Sequence, residues 1–159
     1  MIIEQPAKWL RWLFPNAAWR MDPNEKSVYL TFDDGPIPEA TPFILDTLAH
    51  FGIKATFFMV GDNVRKYPEL YKRIVDEGHQ VGNHTYHHLD MSKISDEASF
   101  RKEKEDVEDL FQSITGTEMA KYYRPPQGKF STENMKMAQI MGYQTFFWSL
   151  AYVDWYQDN

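Results

Sequence analysis

Residues 27–60, SVYLTFDDGPIPEATPFILDTLAHFGIKATFFMV, hold a strand, a helix and a second strand, and the fold follows from reading them as one unit. Ser27–Asp33 is β-branched and aromatic, the pattern of a buried strand. Thr41-Pro42 reads as an N-cap with a first-turn proline, and the helix runs to Phe51, where Gly52 stops it. Ala55–Val60 is the second strand. The same alternation continues outward. A helix restarts at Pro68, with Leu70, Ile74 and Val75 on one face, and ends at Gly78 before a third strand at Gln80–Asn83. Ser95 opens a long helix reaching about Ile114. Phe100, Val107, Leu110, Phe111 and Ile114 form its apolar stripe, and its charges are expected on a solvated face. Lys121–Arg124 is a fourth strand, Ser131 caps a helix ending near Met141-Gly142, and Gln144–Leu150 is a fifth strand. Strands alternating with helices imply an α/β fold with a parallel sheet, open or closed into a barrel.

Composition narrows the functions available. The 159 residues suit one domain, with residues 1–25 as an N-terminal extension packed on it through Trp9, Leu10, Trp12, Leu13 and Phe14. A net charge of −6 without a basic cluster argues against a nucleic-acid partner. Cysteine is absent, so any metal must be held by histidines and carboxylates. Aromatic content of 16% fits either a sugar-binding cleft or a well-filled core. The opening residues carry Glu4, Pro6, Lys8 and Arg11, so neither a signal peptide nor a transmembrane segment is expected. A monomer is expected.

In parallel α/β folds, chemistry gathers at the carboxyl ends of the strands. Four loaded segments fall there: DDGP after the first strand, NHTYHH after the third, RPPQG after the fourth and YVDW after the fifth. His84 and His88, four apart, would present both imidazoles on one face if their turn is helical, with His87 pointing away. His50 and His79 read as surface or capping residues at helix ends. Two histidines and one carboxylate leave open positions for water, the pattern of a catalytic rather than a structural metal centre. One aspartate of the DDGP pair is then free to act as a base. Arg124 suits pairing with an aspartate, and Pro125 and Pro126 stiffen a loop whose backbone N–H at Gln127 would face an oxyanion. A phosphatase with an aspartate nucleophile would space its carboxylates as D-x-D, which this chain does not.

TFDDGP, HTYHH, RPPQG and VDW together resemble, in spacing and order, the motifs of the polysaccharide deacetylases, the NodB-homology group of carbohydrate esterase family 4. The resemblance runs from about Lys26 to Tyr156 and implies a distorted, incomplete (β/α) barrel. It implies Asp33 as catalytic base, oriented by Arg124, and Asp34, His84 and His88 as ligands of a divalent metal, usually zinc, with Co2+, Ni2+ or Mn2+ as alternatives. Asp154 would support the site, and Trp155 would line the acetyl pocket beside Pro125, Pro126 and Gln127. Residues 122–131 and 146–156 are similar to the branch that deacetylates muramic acid in peptidoglycan. The implied partner is an N-acetylated glycan, peptidoglycan or a chitin-like oligomer, and a cell-wall substrate would imply export. Gln127 stands where many members carry Tyr. The family's terminal Leu-x-His motif, source of the expected general acid, has no counterpart up to Asn159. A C-terminally truncated barrel of residues 26–159 is therefore expected, with an inactive metal- and glycan-binding module as the alternative.

Overall fold

A computed structural model describes residues 3–152. In chain order its elements are β1 (Ile3–Glu4), α1 (Lys8–Leu13), β2 (Thr31–Asp33), α2 (Thr41–His50), β3 (Thr56–Met59), α3 (Gly61–Lys66), α4 (Pro68–Asp76), β4 (Gln80–Asn83), α5 (Glu97–Thr115), β5 (Tyr122–Tyr123), α6 (Thr132–Ile140), β6 (Gln144–Thr145) and β7 (Ala151–Tyr152). Strands β2 to β6 lie side by side in chain order, each neighbour parallel. Such winding always in one direction is that of a (β/α) barrel, not of a doubly wound sheet, whose order reverses at a switch point. Among the described residues the sheet remains open, so the α/β architecture is an incomplete barrel. β1 and β7 form a separate antiparallel ribbon.

Leu45 and Leu48 from α2, Phe57 from β3, Tyr71 and Ile74 from α4, and Val107 and Phe111 from α5 share one buried cluster between sheet and helices. Leu45 is fully buried, and its truncation to Ala would cost about 2–5 kcal/mol. The α5 termini follow from capping chemistry. Asp96 accepts the Ser99 N–H at 2.8 Å, and Gly116 takes the left-handed conformation (φ 73°) that closes the last turn.

Several expectations need correction. The first strand is shorter than Ser27–Asp33: Val28 is 85% exposed, because β2 is an edge strand with no neighbour over its early residues. The fifth is cut to Gln144–Thr145, since Phe146 instead bridges in parallel to Ala18. Thr41 lies inside its helix, capped at Ala40, and its Oγ1 accepts the Ile37 N–H at 2.9 Å. In the first 25 residues Leu10, Phe14, Ala17 and Trp19 pack on the domain beside Phe147, but Trp9, Trp12 and Leu13 face solvent. The α5 charges are not all solvated, because Glu103 and Lys104 are buried on the same side as Phe100 and Val107. His79 is also buried, and its Nδ1 accepts the Ala55 N–H at 3.2 Å.

Candidate metal centre

The two adjacent aspartates part company because the strand ends between them. Asp33 is the last paired residue of β2, opposite Phe58. Asp34 turns out of the strand with φ 69°, a left-handed conformation that Asp tolerates better than most residues. Its carbonyl is held by the Asn63 side-chain N–H at 2.7 Å. Its carboxylate thus swings away from Asp33 toward the end of β4.

There it meets two imidazoles. Asp34 Oδ1 lies 3.2 Å from His84 Nε2 and 2.9 Å from His88 Nε2. The ligand atoms of the three residues all lie within 4.8 Å of one another. His84 is buried, and its Nδ1 is 2.7 Å from the Arg124 carbonyl oxygen. A carbonyl only accepts, so Nδ1 carries the proton. In the neutral ring the Nε2 lone pair then faces a carboxylate oxygen, an opposition that a cation between them relieves. The backbone contact fixes ring orientation and tautomer as outer partners of metal-bound histidines do. Two imidazoles and one carboxylate therefore fit a divalent ion of the zinc type. The imidazoles of His84, first, and His88 beside it hold the Asp34 carboxyl well below the usual carboxylate range.

The two histidines do not converge through a helical turn. Residues 84–88 form an irregular loop in which Thr85 (φ 67°) and His88 (φ 55°) are left-handed. Polar groups around it satisfy its backbone. Thr85 N–H donates to Asn83 Oδ1 (2.9 Å), and His88 N–H to Thr85 Oγ1 (3.1 Å). The Thr85 and Tyr86 carbonyls accept from the Gly61 and Asp62 N–H groups at 3.0 and 2.9 Å. From α5, Glu103 Oε2 accepts the Tyr86 and His87 N–H groups at 3.0 and 2.9 Å, while Oε1 pairs with His87 Nδ1 at 2.6 Å.

On the other side of the centre stands Arg124, 3% exposed at the end of β5. Its Nη1 donates to Asp33 Oδ1 and to Thr31 Oγ1, each at 2.8 Å, and its Nη2 to the Phe147 carbonyl at 2.9 Å. The guanidinium also sits over the Phe58 ring, 4.2 Å from its centroid. Burial pushes its pKa down, and the Asp33 carboxylate opposes that shift. Pro125 and Pro126 are buried, and Gln127 follows them exposed and left-handed (φ 57°). A cavity of about 160 Å3 opens beside this loop, lined by Leu10, Trp19, Gln127, Gly128, Phe147 and Trp148.

The structure thus brings together Asp33, Asp34, His84, His88 and Arg124, with Pro125, Pro126 and Gln127 alongside. Asp154 and Trp155 lie outside the described residues. Reading the sequence missed Asn83, Thr31 and above all Glu103. One signal was available: Glu103 sits three residues after Phe100 and four before Val107, inside the apolar stripe rather than opposite it.

Residues 20–146 match the family described as Polysaccharide deacetylase. The chain belongs to the polysaccharide deacetylase family. It is 43% identical over 136 residues to the peptidoglycan-N-acetylmuramic acid deacetylase PdaA of Bacillus subtilis, covering 85% of this chain and 51% of that protein. The solved structure of that protein, a family 4 carbohydrate esterase, superposes with a TM-score of 0.88 at 39% identity, over 94% of this chain and 64% of the other. A peptidoglycan-N-acetylglucosamine deacetylase of Bacillus cereus is 38% identical over 154 residues, 97% of this chain and 65% of that one. A Bacillus anthracis pseudoenzyme of the same esterase family also superposes, with a TM-score of 0.74 at 31% identity over 80% of this chain and 45% of that one. The chain spans about half the length of the first curated relatives it matches. Polysaccharide deacetylases are metal-dependent, and among the described residues Asp34, His84 and His88 form a group that could hold an ion.

Proposed function

We propose that this domain hydrolyses N-acetyl groups of a glycan, with peptidoglycan as the substrate class, releasing acetate and a free amine. One observation carries the reading: an aspartate clamped by a buried arginine stands one residue from an aspartate shared by two histidines. A divalent ion held by Asp34, His84 and His88, with zinc the first choice, would supply Lewis acidity to the attacking water and the acetamide carbonyl. Asp33 takes the proton from that water, and Arg124 keeps Asp33 ionised and aimed. The backbone N–H at Gln127 donates to the oxyanion as the carbonyl carbon becomes tetrahedral. The proton that Asp33 removes is the one the departing nitrogen needs, so one water and one amide yield acetate and an amine. Trp148, beside Gln127, offers a flat apolar wall to the sugar.

Relatives named for N-acetylmuramic acid and for N-acetylglucosamine both match, which supports peptidoglycan as the substrate class without separating the two sugars. Such a substrate places the working protein outside the membrane. We take it to act as a monomer with no nucleic-acid partner.

A second reading is a metal- and glycan-binding module without turnover. What favours it is that a pseudoenzyme of the same esterase family superposes on this chain. Acetate release from peptidoglycan fragments and chitin oligomers, measured alongside bound metal, separates the readings. The deacetylase reading requires acetate release that D33N and H84A both abolish. Stoichiometric zinc with no acetate from any substrate favours the binding module.

A further inference from the structure

We propose that Glu103, on α5, is a positioning residue that sets the metal-binding loop. This rests on the metal-centre reading above. His88 reaches Asp34 only because the loop adopts two left-handed residues, a conformation that needs outside support. Glu103 supplies it from a separate element. One carboxylate oxygen takes two consecutive backbone N–H groups, those of Tyr86 and His87, and the other takes the His87 ring. These are the two residues immediately before the ligand His88. The remaining hydrogen bonds to the loop backbone come from within the loop or from Met59, Gly61, Asp62 and Asn83, so among the described residues Glu103 is the one charged side chain that hydrogen-bonds that backbone.

Glu103 is itself buried and carried on the 19-residue helix α5. That helix is anchored nearby: the Asn83 side-chain N–H donates to the Lys104 carbonyl at 2.9 Å. Asn83 in turn directly precedes His84 and receives the Thr85 N–H. The loop between the two histidine ligands is therefore tied to α5 at both ends. A carboxylate accepting two backbone N–H groups makes charge-assisted bonds stronger than neutral ones. Outer partners of this kind typically change metal affinity 10- to 100-fold when removed.

Two conservative variants separate reach from charge. E103D keeps the charge but withdraws the carboxylate by one methylene. E103Q keeps the reach and retains an oxygen able to accept both N–H groups. Zn2+ alone is titrated into the metal-free full chain by calorimetry, with circular dichroism as the check on folding. Wild type is expected to bind one zinc. E103D is expected to bind it 10- to 100-fold more weakly, and E103Q only severalfold more weakly. Equal zinc affinity for E103D and wild type overturns the proposal, as does an E103Q loss as large as that of E103D.

Hydrogen exchange at the Tyr86 and His87 amides supplies a readout independent of metal. Protection is expected in wild type and E103Q, and exchange at least tenfold faster in E103D. If E103D does not fold, loss of both protections in a folded E103Q overturns the proposal, and their retention supports it. If wild type itself binds no zinc, the metal-centre reading fails, while the exchange data still decide whether Glu103 holds the loop.

Discussion

Arg124 holds Asp33 with its side chain and His84 with its backbone: Nη1 is 2.8 Å from Asp33 Oδ1, and the carbonyl oxygen is 2.7 Å from His84 Nδ1. One residue thereby aims both the proposed base and one proposed ligand. Replacing it with Met fills similar volume but leaves Asp33, Thr31 and the Phe147 carbonyl without their donor. Breaking a buried pair costs about 3–5 kcal/mol, and the 31% exposure of the Asp33 side chain argues for the low end. R124M should lower the urea midpoint accordingly with an unchanged m-value. A midpoint equal to wild type would show that the pair does not hold the fold.

The Asp33 carboxylate pairs with Arg124 rather than with His84 or His88, so its proposed role separates from that of Asp34. D33N is expected to reduce acetate release about 10²–10⁴-fold, the range for a general base, while zinc stays at one per chain. A loss of zinc in D33N would reassign Asp33 to the metal.

Metal and stability should be linked. Zinc at a hundred times its Kd adds about 2.7 kcal/mol, which for a chain of this size raises Tm by roughly 5–10 °C. Chelator should reverse the shift, and H88A should remove it. A zinc-dependent shift that persists in H88A would place the ion elsewhere.

The amine of Lys104 presents a different pH dependence. It is fully buried, lies 3.3 Å from the Phe100 ring centroid and 4.1 Å from that of Tyr123, and has no hydrogen-bond partner among the described residues. Burial pushes its pKa down to about 7, against the pull of Glu103 and the ring faces toward the charged form. The unfolded chain, with an ordinary lysine near 10.4, then binds more protons between pH 7 and about 10. This contribution to stability is complete above pH ~10.4 and is lost as pH falls through 7. K104M should flatten that rise and match or exceed wild-type stability at pH 7. A steeper fall for K104M would show that the ammonium is stabilising where it sits.

Gly61 lies so close to the 84–88 loop that a Cβ there would come 2.5 Å from Tyr86 Cδ2 and 2.9 Å from its Cα. The backbone cannot give way as a side-chain tip could. G61A should cost about 1–3 kcal/mol and displace the loop, weakening zinc binding. Unchanged zinc affinity in a folded G61A would mean that the loop shifts without moving His88.

The parallel winding was legible because each helix start and stop has local chemistry: Pro42, Gly52, Pro68, Gly78 and Ser131 all act within a few residues of themselves. Asp33, Asp34, His84, His88 and Arg124 were legible because the strand ends that carry them are contiguous motifs. Strand lengths were not, since Val28 and Phe146 have strand-like side chains but find no ladder partner, or an unforeseen one in Ala18. The loop conformation was also hidden. His84 and His88 have helical spacing, and only contacts from Asn83, Gly61 and Glu103, distant or unremarked in the chain, select the left-handed route. Glu103 looked like one charge among many on α5, and its burial depends on what packs opposite.

The bond between Ala18 and the far edge of the sheet has a consequence for the order of assembly. The Ala18 N–H donates to the Thr145 carbonyl and its own carbonyl accepts the Phe147 N–H, each at 2.8 Å, and Trp19 lies flat on Phe147 with ring centroids 4.0 Å apart. Phe147 is also the residue whose carbonyl receives Arg124. During synthesis, the last of Asp34, His84 and His88 emerges about 60 residues before Phe147, a few seconds at ordinary translation rates. The proposed cation grip can form in that interval, while the arginine still lacks its carbonyl and Ala18 and Trp19 have nowhere to dock. On the proposed roles, the nascent domain would capture an ion first and complete the clamp on Asp33 last.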